Sequence, residues 1–213
     1  MAILGACATG CGCDPDGPCP QSPVVTAGEL ATFDRIPALG DLDFDAVIPA
    51  GDWDYWELRR TFGPASYEVV GGGGPVRKAD LDSVTVVSFD SLVPERGFGS
   101  ACLPGGCSRY FIAVRGDSIG VWASASAARA FLGSIDNGTE AALRVSIDDF
   151  RWGGDKDTGA VRTTPDGFEL VVTKLVAFCD PVQTNRYWLR VAPDGTVIAL
   201  AFEVWERADG ACI

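Results

Sequence analysis

Cysteine is the residue whose chemistry most distinguishes this chain, because eight cysteines occur among 213 residues that include no histidine. Without histidine the chain cannot form a Ser-His-Asp or Cys-His catalytic site, nor a histidine-ligated metal centre. Any catalysis would depend on carboxylates, tyrosine, lysine or arginine. Several cysteines have spacings that suit disulfides, which persist in oxidising compartments. We therefore expect structural cysteines in a protein that lies outside the reducing cytoplasm.

Four of the cysteines are predicted to form two disulfides. Cys102 and Cys107 flank a Pro-Gly-Gly turn, which can bring their Cα atoms within bridging distance. Cys179 ends an apolar run and Cys212 is the second-last residue, so a bridge between them would attach the C-terminus to the sheet. In the chain-entropy model such a bridge stabilises the fold by roughly 3–4 kcal/mol. No second cysteine pair repeats the spacing that a zinc site would use, and we expect neither a metal nor a cofactor.

The first 23 residues predict an anchor followed by a tether. Leu4-Gly5-Ala6-Cys7 has the form of a lipobox, at which a bacterial secretory peptide is cut and Cys7 is lipidated. The alternative is a chance tetrapeptide, since neither a basic segment nor a long apolar core precedes it. Residues 8–23 are rich in Gly, Pro and Cys and contain one β-branched residue. Such a segment cannot build a core, so we expect a flexible tether.

The remaining residues, 24–213, are long enough for a single α+β domain, with a possible sub-boundary near 71–80, where four consecutive glycines predict a break. Seventeen basic and twenty-nine acidic side chains give a net charge of −12. This charge would repel phosphate backbones, and we expect no nucleic-acid partner. No apolar run approaches the ~20 residues that a membrane-spanning helix needs. Membrane attachment would then depend on the lipid anchor alone.

The C-terminal half predicts a four-stranded antiparallel meander. Pro-Asp-Gly turns at 165–167 and 193–195 separate runs rich in β-branched and aromatic residues. The strands are expected at 160–163, 168–178, 185–191 and 196–206. Two short helices, at 127–132 after Ser124 or Ser126 and at 141–147 after Thr139, should pack on the sheet before the meander. The predicted fold class is therefore α+β, predominantly antiparallel sheet.

The N-terminal half of the domain also contains strand-like segments. Apolar runs at 109–114 and 118–122 flank Arg-Gly-Asp and predict a hairpin. Further strands are expected at 55–62, 66–70 and 84–89, since each is rich in β-branched or aromatic residues.

One alternating segment suggests a ligand-binding face. Within 185–191 the natural core face carries Tyr, Leu and Val, which leaves Arg186, Trp188 and Arg190 on the opposite face. An exposed indole flanked by guanidinium groups can stack on sugars and pair with carboxylates. Glu203 or Trp205 would join this face in some strand registers. The alternative is that Trp188 lies beneath a loop or the N-terminal half, with the arginines packed around it.

Acidic clusters offer two further interpretations. The segments 41–45 and 155–159 resemble calcium loops, but the first lacks the glycine and glutamate of the EF-hand pattern, and solvated loops are the simpler expectation. Neighbouring carboxylates could also serve a glycosidase, which requires two carboxyl groups whose pKa values diverge. The neighbouring carboxylates are Asp52 and Asp54, Asp148 and Asp149, and Glu203 and Glu206.

The tetrapeptide that ends at Cys7, the tether and the acidic, cysteine-containing domain together resemble the lipoproteins of GC-rich bacteria. This resemblance implies a lipid-anchored protein of the bacterial cell envelope, in the periplasm or at the outer membrane, with a structural or ligand-binding role and no catalysis. Its partners would be the membrane, through the lipid, and carbohydrate or another envelope protein. The alternative function is a carboxylate-based hydrolase that acts on cell-envelope carbohydrate.

Overall fold

Two antiparallel sheets and the helices between them are seen in a computed structural model, which describes residues 24–62, 66–99 and 107–213. Cys7, the predicted tether and Cys102 lie outside the described residues. Lipidation of Cys7 and the bridge between Cys102 and Cys107 therefore stay predictions. Within the described ranges, no helix is long and apolar enough to cross a bilayer.

The chain alternates between strands and short helices. The strands are β1 (Asp34–Arg35), β2 (Tyr55–Thr61), β3 (Tyr67–Gly73), β4 (Arg109–Arg115), β5 (Ser118–Trp122), β6 (Ala160–Thr164), β7 (Gly167–Phe178), β8 (Val182–Val191) and β9 (Val197–Ala208). The α-helices are α1 (Ala27–Leu30), α2 (Ser83–Ser91), α3 (Ala125–Leu132) and α4 (Gly138–Ile147). Short 3₁₀ turns occur at Leu39–Asp41, Phe44–Ala46 and Lys78–Asp80.

The C-terminal strands form the meander sheet, with strand order β1-β6-β7-β8-β9 and antiparallel pairing throughout. Gly167 and Gly195 adopt positive φ values of +122° and +78°, as the glycine of each Pro-Asp-Gly turn requires. The meander from β6 to β9 and the α+β fold class are thus confirmed, and β1 adds a fifth strand at the edge. Cys179 and Cys212 form a disulfide that joins the end of β7 to the C-terminus.

The other strands form the hairpin sheet, with strand order β3-β2-β4-β5. The predicted hairpin of β4 and β5 is confirmed, as are strands β2 and β3. Helices α3 and α4 lie between the two sheets, because their buried side chains share one apolar core with both sheets. All residues of α4 from Glu140 to Ile147 are buried. The face of each sheet that is turned toward these helices is called its inner face below, and the opposite face its outer face.

Each outer face has a cover of its own. Phe89 of α2 packs on the outer face of the hairpin sheet, against Tyr110 and Ile112 of β4. Residues 24–33, which include α1, pack on the outer face of the meander sheet and bury Val171 and much of Trp188. The molecule therefore has a central helical layer, two sheets and a partial cover on either side.

Three local predictions were wrong. Residues 84–89 belong to α2, because the Asp82 carboxylate accepts hydrogen bonds from the backbone N–H groups of Val84 (3.0 Å) and Thr85 (2.9 Å) and caps a helix there. This local cap outweighs the β-branched composition of the segment. Helix α4 is capped by Asn137 and not by Thr139, since the Asn137 side chain accepts from the N–H of Glu140 (2.9 Å).

The glycine run does not form a break where it meets the sheet. Gly71–Gly73 belong to β3 and pair with residues 56–58 of β2. At Gly71 a Cβ atom would overlap the ring of Phe44, which is buried against the strand. The glycines therefore let an aromatic side chain approach the strand backbone closely.

Candidate functional site

The residues predicted as a ligand-binding stripe lie on the outer face of β8, which agrees with their alternation. Trp188 is half-buried beneath residues 24–33, where it packs with Val25 and Phe33. Trp188 therefore lies beneath the N-terminal part of the domain, as the alternative prediction had it. Whether Arg186, Trp188 and Arg190 bind a ligand stays a prediction, and their contacts within the chain follow.

A buried carboxylate holds one end of the stripe. Glu169 on β7 is 4% exposed and accepts hydrogen bonds from Arg162 Nη2 (2.7 Å), Trp188 Nε1 (3.1 Å) and Arg190 Nη2 (2.9 Å). Burial works to raise the pKa of Glu169, but the hydrogen bonds from Arg190 and Arg162 outweigh it, and the pKa is lowered. Two guanidinium groups and an indole thus neutralise and position this carboxylate, which we call the Glu169 cluster.

The other end of the stripe is also paired. Arg186 Nε donates to Glu203 Oε1 (2.6 Å), and its guanidinium lies 4.3 Å from the ring centroid of Trp205. Arg186 Nη1 also donates to the carbonyl of Asp157 (3.3 Å). The predicted involvement of Glu203 and Trp205 is therefore seen as contacts within the protein.

A second cluster of compensated charges lies on the outer face of the hairpin sheet. Arg59 is fully buried and donates from Nε to Glu57 (2.6 Å) and from Nη2 to Asp90 (3.0 Å). Lys78 Nζ bridges the same two carboxylates, at 3.1 Å and 2.6 Å. Two cations thus face two anions, an arrangement we call the Arg59 cluster. It is built like the Glu169 cluster, with every buried charge opposed by another.

Two tyrosines complete the Arg59 cluster. The hydroxyl of Tyr55 donates to Glu57 (2.9 Å), and that of Tyr67 donates to Asp90 (2.9 Å). Burial and the neighbouring carboxylates raise the pKa of Tyr55, and burial and the hydrogen bond to Asp90 raise that of Tyr67 to about 12. Both phenols are therefore protonated at neutral pH and act as hydrogen-bond donors.

The pKa shifts of the described carboxyl groups do not support catalysis by a carboxylic acid of the glycosidase kind. A glycosidase acid requires a carboxyl group with a raised pKa. Where the pKa of a described carboxyl group is shifted, as for Asp90, Asp148 and Glu169, hydrogen bonds and nearby cations lower it. These groups are stable carboxylates at neutral pH. The carboxylate-based hydrolase stays a prediction.

A third group of charges is arranged differently and lines a cavity of about 290 Å³, which we call the arginine cleft. No carboxylate occurs among the described residues that line it. Its walls combine three arginines, two aromatic side chains and a glycine pair. The lining residues are Ala38, Leu39, Arg60, Arg109, Phe150, Arg151, Trp152, Gly153 and Gly154.

Neighbouring strands place two of these arginines side by side. Arg60 on β2 is paired directly opposite Arg109 on β4. Both strands alternate, so the two arginines continue the inner face on which Leu58 and Phe111 pack into the core. Like charges directly opposite each other destabilise a sheet. The inner face thus ends in a pair of cations where more apolar residues would stabilise it better.

Arg109 is buried to an unusual degree for an arginine, at 7% exposed. Its Nη2 donates to the carbonyl of Ser146 (2.7 Å) near the C-terminal end of α4, where the helix dipole favours a cation. Its guanidinium carbon lies 5.6 Å from the ring centroid of Phe98. Gly99, at a φ of +71°, leaves room for the guanidinium, since a Cβ there would lie 2.7 Å from Nη2. The Nε–H finds no acceptor among the described residues.

The environment of Arg109 disfavours its charge. Burial above all, together with the positive charges of Arg151 and Arg60, lowers the pKa of Arg109 to about 10 against the attraction of Asp149. This change corresponds to about 3 kcal/mol against the charged form. An anion in the cleft would remove that penalty.

The remaining walls come from β2 and from the segment after α4. Arg60 pairs with Glu68 through Nη2, but its buried Nε has no acceptor in the part of the chain that the structure describes. After α4, Asp149 adopts a φ of +66° and turns the chain toward Arg151, whose backbone pairs with Thr173 of β7. Trp152 is then fixed by a hydrogen bond from Nε1 to the carbonyl of residue 37 (2.7 Å).

The sequence contains a signal for this site that is not among the predictions made from it. In both β2 and β4 the alternation of core residues runs into an arginine, at Arg60 and Arg109, where the pattern calls for an apolar side chain. The third arginine, Arg151, could not be associated with them, because it comes from a segment about 40 residues farther along the chain than β4. These groups come together where the end of α4 meets β4, through the hydrogen bond from Arg109 to the carbonyl of Ser146, and where the segment after α4 pairs with β7.

The described residues include no group of three or more acidic or cysteine side chains that could hold a metal ion. The segment 41–45 forms parts of two 3₁₀ turns. In the segment 155–159, the Asp155 carboxylate accepts hydrogen bonds from the backbone N–H (3.0 Å) and hydroxyl (2.7 Å) of Thr158. Comparisons with protein-family models, with curated proteins and with solved structures give no match for this chain.

Proposed function

We propose that this protein binds a small oxyanion ligand in the arginine cleft. The observation that carries the proposal is Arg109, which is 7% exposed, forms no ion pair with a described carboxylate and has an Nε–H without an acceptor among the described residues. Burial, with the positive charges of Arg151 and Arg60, lowers its pKa against the attraction of Asp149. A buried donor without an acceptor is costly, and so is a buried charge without a counter-charge. A ligand that supplies both would relieve both costs.

The chemistry of the cleft favours a carboxylate or phosphate ligand with more than one negative charge. Guanidinium groups bind both anions through paired hydrogen bonds, and three of them line this cavity. The volume of about 290 Å³ lies near the lower end of small-molecule sites, so the ligand is small. Phe150 and Trp152 would contact its carbon skeleton. A di- or tricarboxylate, or a small phosphate ester, meets these conditions.

The proposed setting is the bacterial cell envelope. The disulfide between Cys179 and Cys212 is typical of an oxidising compartment and supports an extracytoplasmic location. The lipobox-like tetrapeptide supports attachment through a lipid on Cys7. Mass spectrometry of the protein from its own host tests both ideas. A diacylglyceryl adduct on Cys7 is expected, and an unmodified Cys7 would contradict the anchor without affecting the binding proposal.

Calorimetric titration tests the binding proposal. Citrate and inorganic phosphate are titrated into the wild type, Arg109→Met and Arg77→Met at one ionic strength set with sodium chloride. Arg77 is a matched control, since its side chain is 84% exposed and the substitution removes the same charge. We expect one of the two anions to bind the wild type and Arg77→Met alike, and affinity to fall at least about 30-fold in Arg109→Met, as loss of a charge-assisted hydrogen bond predicts. Equal affinity in all three proteins, or no binding of either anion, would contradict the proposal.

A further inference from the structure

A second cavity, of about 520 Å³, lies near the N-terminal end of β2 and contains indole rings and carboxylates but no arginine among its described lining residues. We call it the tryptophan cleft. Its lining residues are Asp45, Val47, Ile48, Pro49, Gly51, Asp52, Trp53, Asp54, Trp56, Gly74 and Pro75.

Trp56 supplies this cleft with a hydrogen-bond donor for which the described part of the chain provides no acceptor. The side chain is 1% exposed, and its ring packs against Phe44, Phe111 and Phe131 with centroid distances of 5.8–6.1 Å. These contacts fix the indole, yet its Nε1–H has no acceptor among the described residues. Buried indole N–H groups usually have a partner, so the orphan donor points to a missing one.

Glycine keeps the space beside this donor open. A Cβ atom on Gly73 would lie 3.3 Å from Trp56 Nε1, so any larger residue would crowd the N–H. The next residue, Gly74, lines the cleft with a φ of +124°, a conformation that other residues rarely adopt. The indole N–H is itself buried, but residues 73 and 74 place no side chain between it and the cleft, so a small group that enters from the cleft meets only glycine backbone on this side.

The other walls provide acceptors and an apolar surface. Asp45 and Asp52 are exposed, and Asp54 is half-buried, with Oδ2 accepting from the backbone N–H of Gly116 (2.7 Å). The Trp53 ring is fixed by a hydrogen bond from Nε1 to the carbonyl of residue 50 (3.1 Å) and by edge contact with Trp122. A rigid indole surface thus lies beside three carboxylates.

Three carboxylates, an indole surface and a buried N–H donor together favour one class of ligand over others. Three carboxylates repel an anion, and an ammonium group has no lone pair for the Trp56 N–H. A hydroxyl group donates to a carboxylate and accepts from an N–H at the same time, and the C–H face of a pyranose ring packs on indole. We propose that the tryptophan cleft binds a neutral pyranose sugar, with one hydroxyl oxygen accepting from Trp56 Nε1 and others donating to Asp52 and its neighbours.

Saturation-transfer NMR tests this proposal with glucose, galactose, mannose and N-acetylglucosamine as probes. Asp52→Ala removes an exposed acceptor without disturbing the core, and Trp56→Phe removes the N–H while keeping an aromatic ring. Asp166→Ala is the matched control, because that aspartate is 75% exposed and lies at a turn of the meander sheet. Circular dichroism checks that each variant is folded.

We expect transfer to at least one sugar in the wild type and in Asp166→Ala. The dissociation constant for that sugar should rise at least about tenfold in Asp52→Ala, and also in Trp56→Phe if circular dichroism shows that this variant is folded. Citrate should not compete, since the arginine cleft has separate walls. No transfer to any of the four sugars, or transfer that is equal in all variants, would overturn the proposal. So would binding of tetramethylammonium in their place.

Discussion

The Arg59 and Glu169 clusters differ from the arginine cleft in the balance of the charges that they bury. In the first two, each buried ion is within hydrogen-bond distance of an opposite charge, as for Glu57 with Arg59 or Glu169 with Arg190. In the cleft, Arg60 and Arg109 lie opposite each other, and Arg60 pairs with Glu68, whereas Arg109 forms no ion pair with any described carboxylate. An Nε–H without a described acceptor is not specific to the cleft, since Arg190 of the Glu169 cluster has one as well. The same side-chain type therefore serves two purposes in one small protein.

This difference indicates that the partners of a buried charge can distinguish a structural cluster from a binding site. A balanced cluster gains enough from its internal contacts to remain buried, and breaking it leaves a costly isolated ion. An unbalanced cluster lowers stability in the free protein, and such a feature is typical of a binding site that the ligand completes. The number of buried charges does not separate the two kinds of region. What separates them is whether each charge has an opposite charge beside it within the protein.

The largest effect should come from breaking the Arg59 cluster. Arg59→Met leaves Glu57 buried with only Lys78 as a counter-charge, and we expect the free energy of unfolding to fall by about 3–5 kcal/mol. Urea denaturation followed by tryptophan fluorescence measures this change. Arg77→Met, which removes an exposed arginine, should change the same quantity by less than about 1 kcal/mol. A loss below about 1 kcal/mol for Arg59→Met would remove the distinction between balanced burial and surface pairing.

A somewhat smaller effect is expected in the Glu169 cluster. Glu169→Gln keeps the acceptor for Trp188 but removes the charge that faces Arg162 and Arg190, for an expected loss of about 2–3 kcal/mol at neutral pH. Because the folded-state pKa of Glu169 is lowered from its ordinary 4.5, its stabilisation is present above about pH 4.5 and is lost as the pH falls through the folded-state pKa. Wild-type stability should therefore fall more steeply than that of Glu169→Gln as the pH is lowered below about 4.5. Parallel curves would contradict the assignment.

The smallest effect concerns repulsion within the arginine cleft. Arg60→Met removes a positive charge directly opposite Arg109 and an exposed pair with Glu68, so we expect stability to change by less than about 1 kcal/mol. The pKa of Arg109, about 10 in the wild type, should rise in this variant, because one of the charges that lower it is gone. Titration of the Arg109 Cζ resonance by ¹³C NMR measures this shift. An unchanged or lower value would show that the two guanidinium groups do not interact.

Local sequence signals predicted much of the fold. The Pro-Asp-Gly turns set the meander because Gly167 and Gly195 take the positive φ that other residues resist. Residues 84–89 form α2 and not the predicted strand, because the cap that Asp82 provides outweighs their β-branched composition. Both effects are local, and Asp82 is the residue in the sequence that indicates α2.

The candidate site was less accessible to sequence analysis, because charge balance depends on distant partners. Alternation placed Arg186, Trp188 and Arg190 on one face correctly, but their contacts with Glu169 and Glu203 follow from strand register. The arginine cleft likewise depends on how β2, β4 and the segment after α4 meet. Its sequence signal was an apolar alternation that ends in arginine on two strands.

The most direct test of the site compares the stability of the wild type and Arg109→Met as citrate is added. The free energy of unfolding in urea is measured for both proteins, with ionic strength held constant by sodium chloride. Without citrate, Arg109→Met should be more stable by about 1–2 kcal/mol, because burial of the charge costs about 3 kcal/mol and the bond to Ser146 returns about 1 kcal/mol.

With citrate, the wild type should gain about 2.7 kcal/mol at a concentration 100 times its dissociation constant, whereas Arg109→Met gains little. The two stability curves should therefore cross. A wild type that is the more stable protein without citrate, or two curves that stay parallel as citrate rises, would contradict the interpretation of the arginine cleft as a binding site.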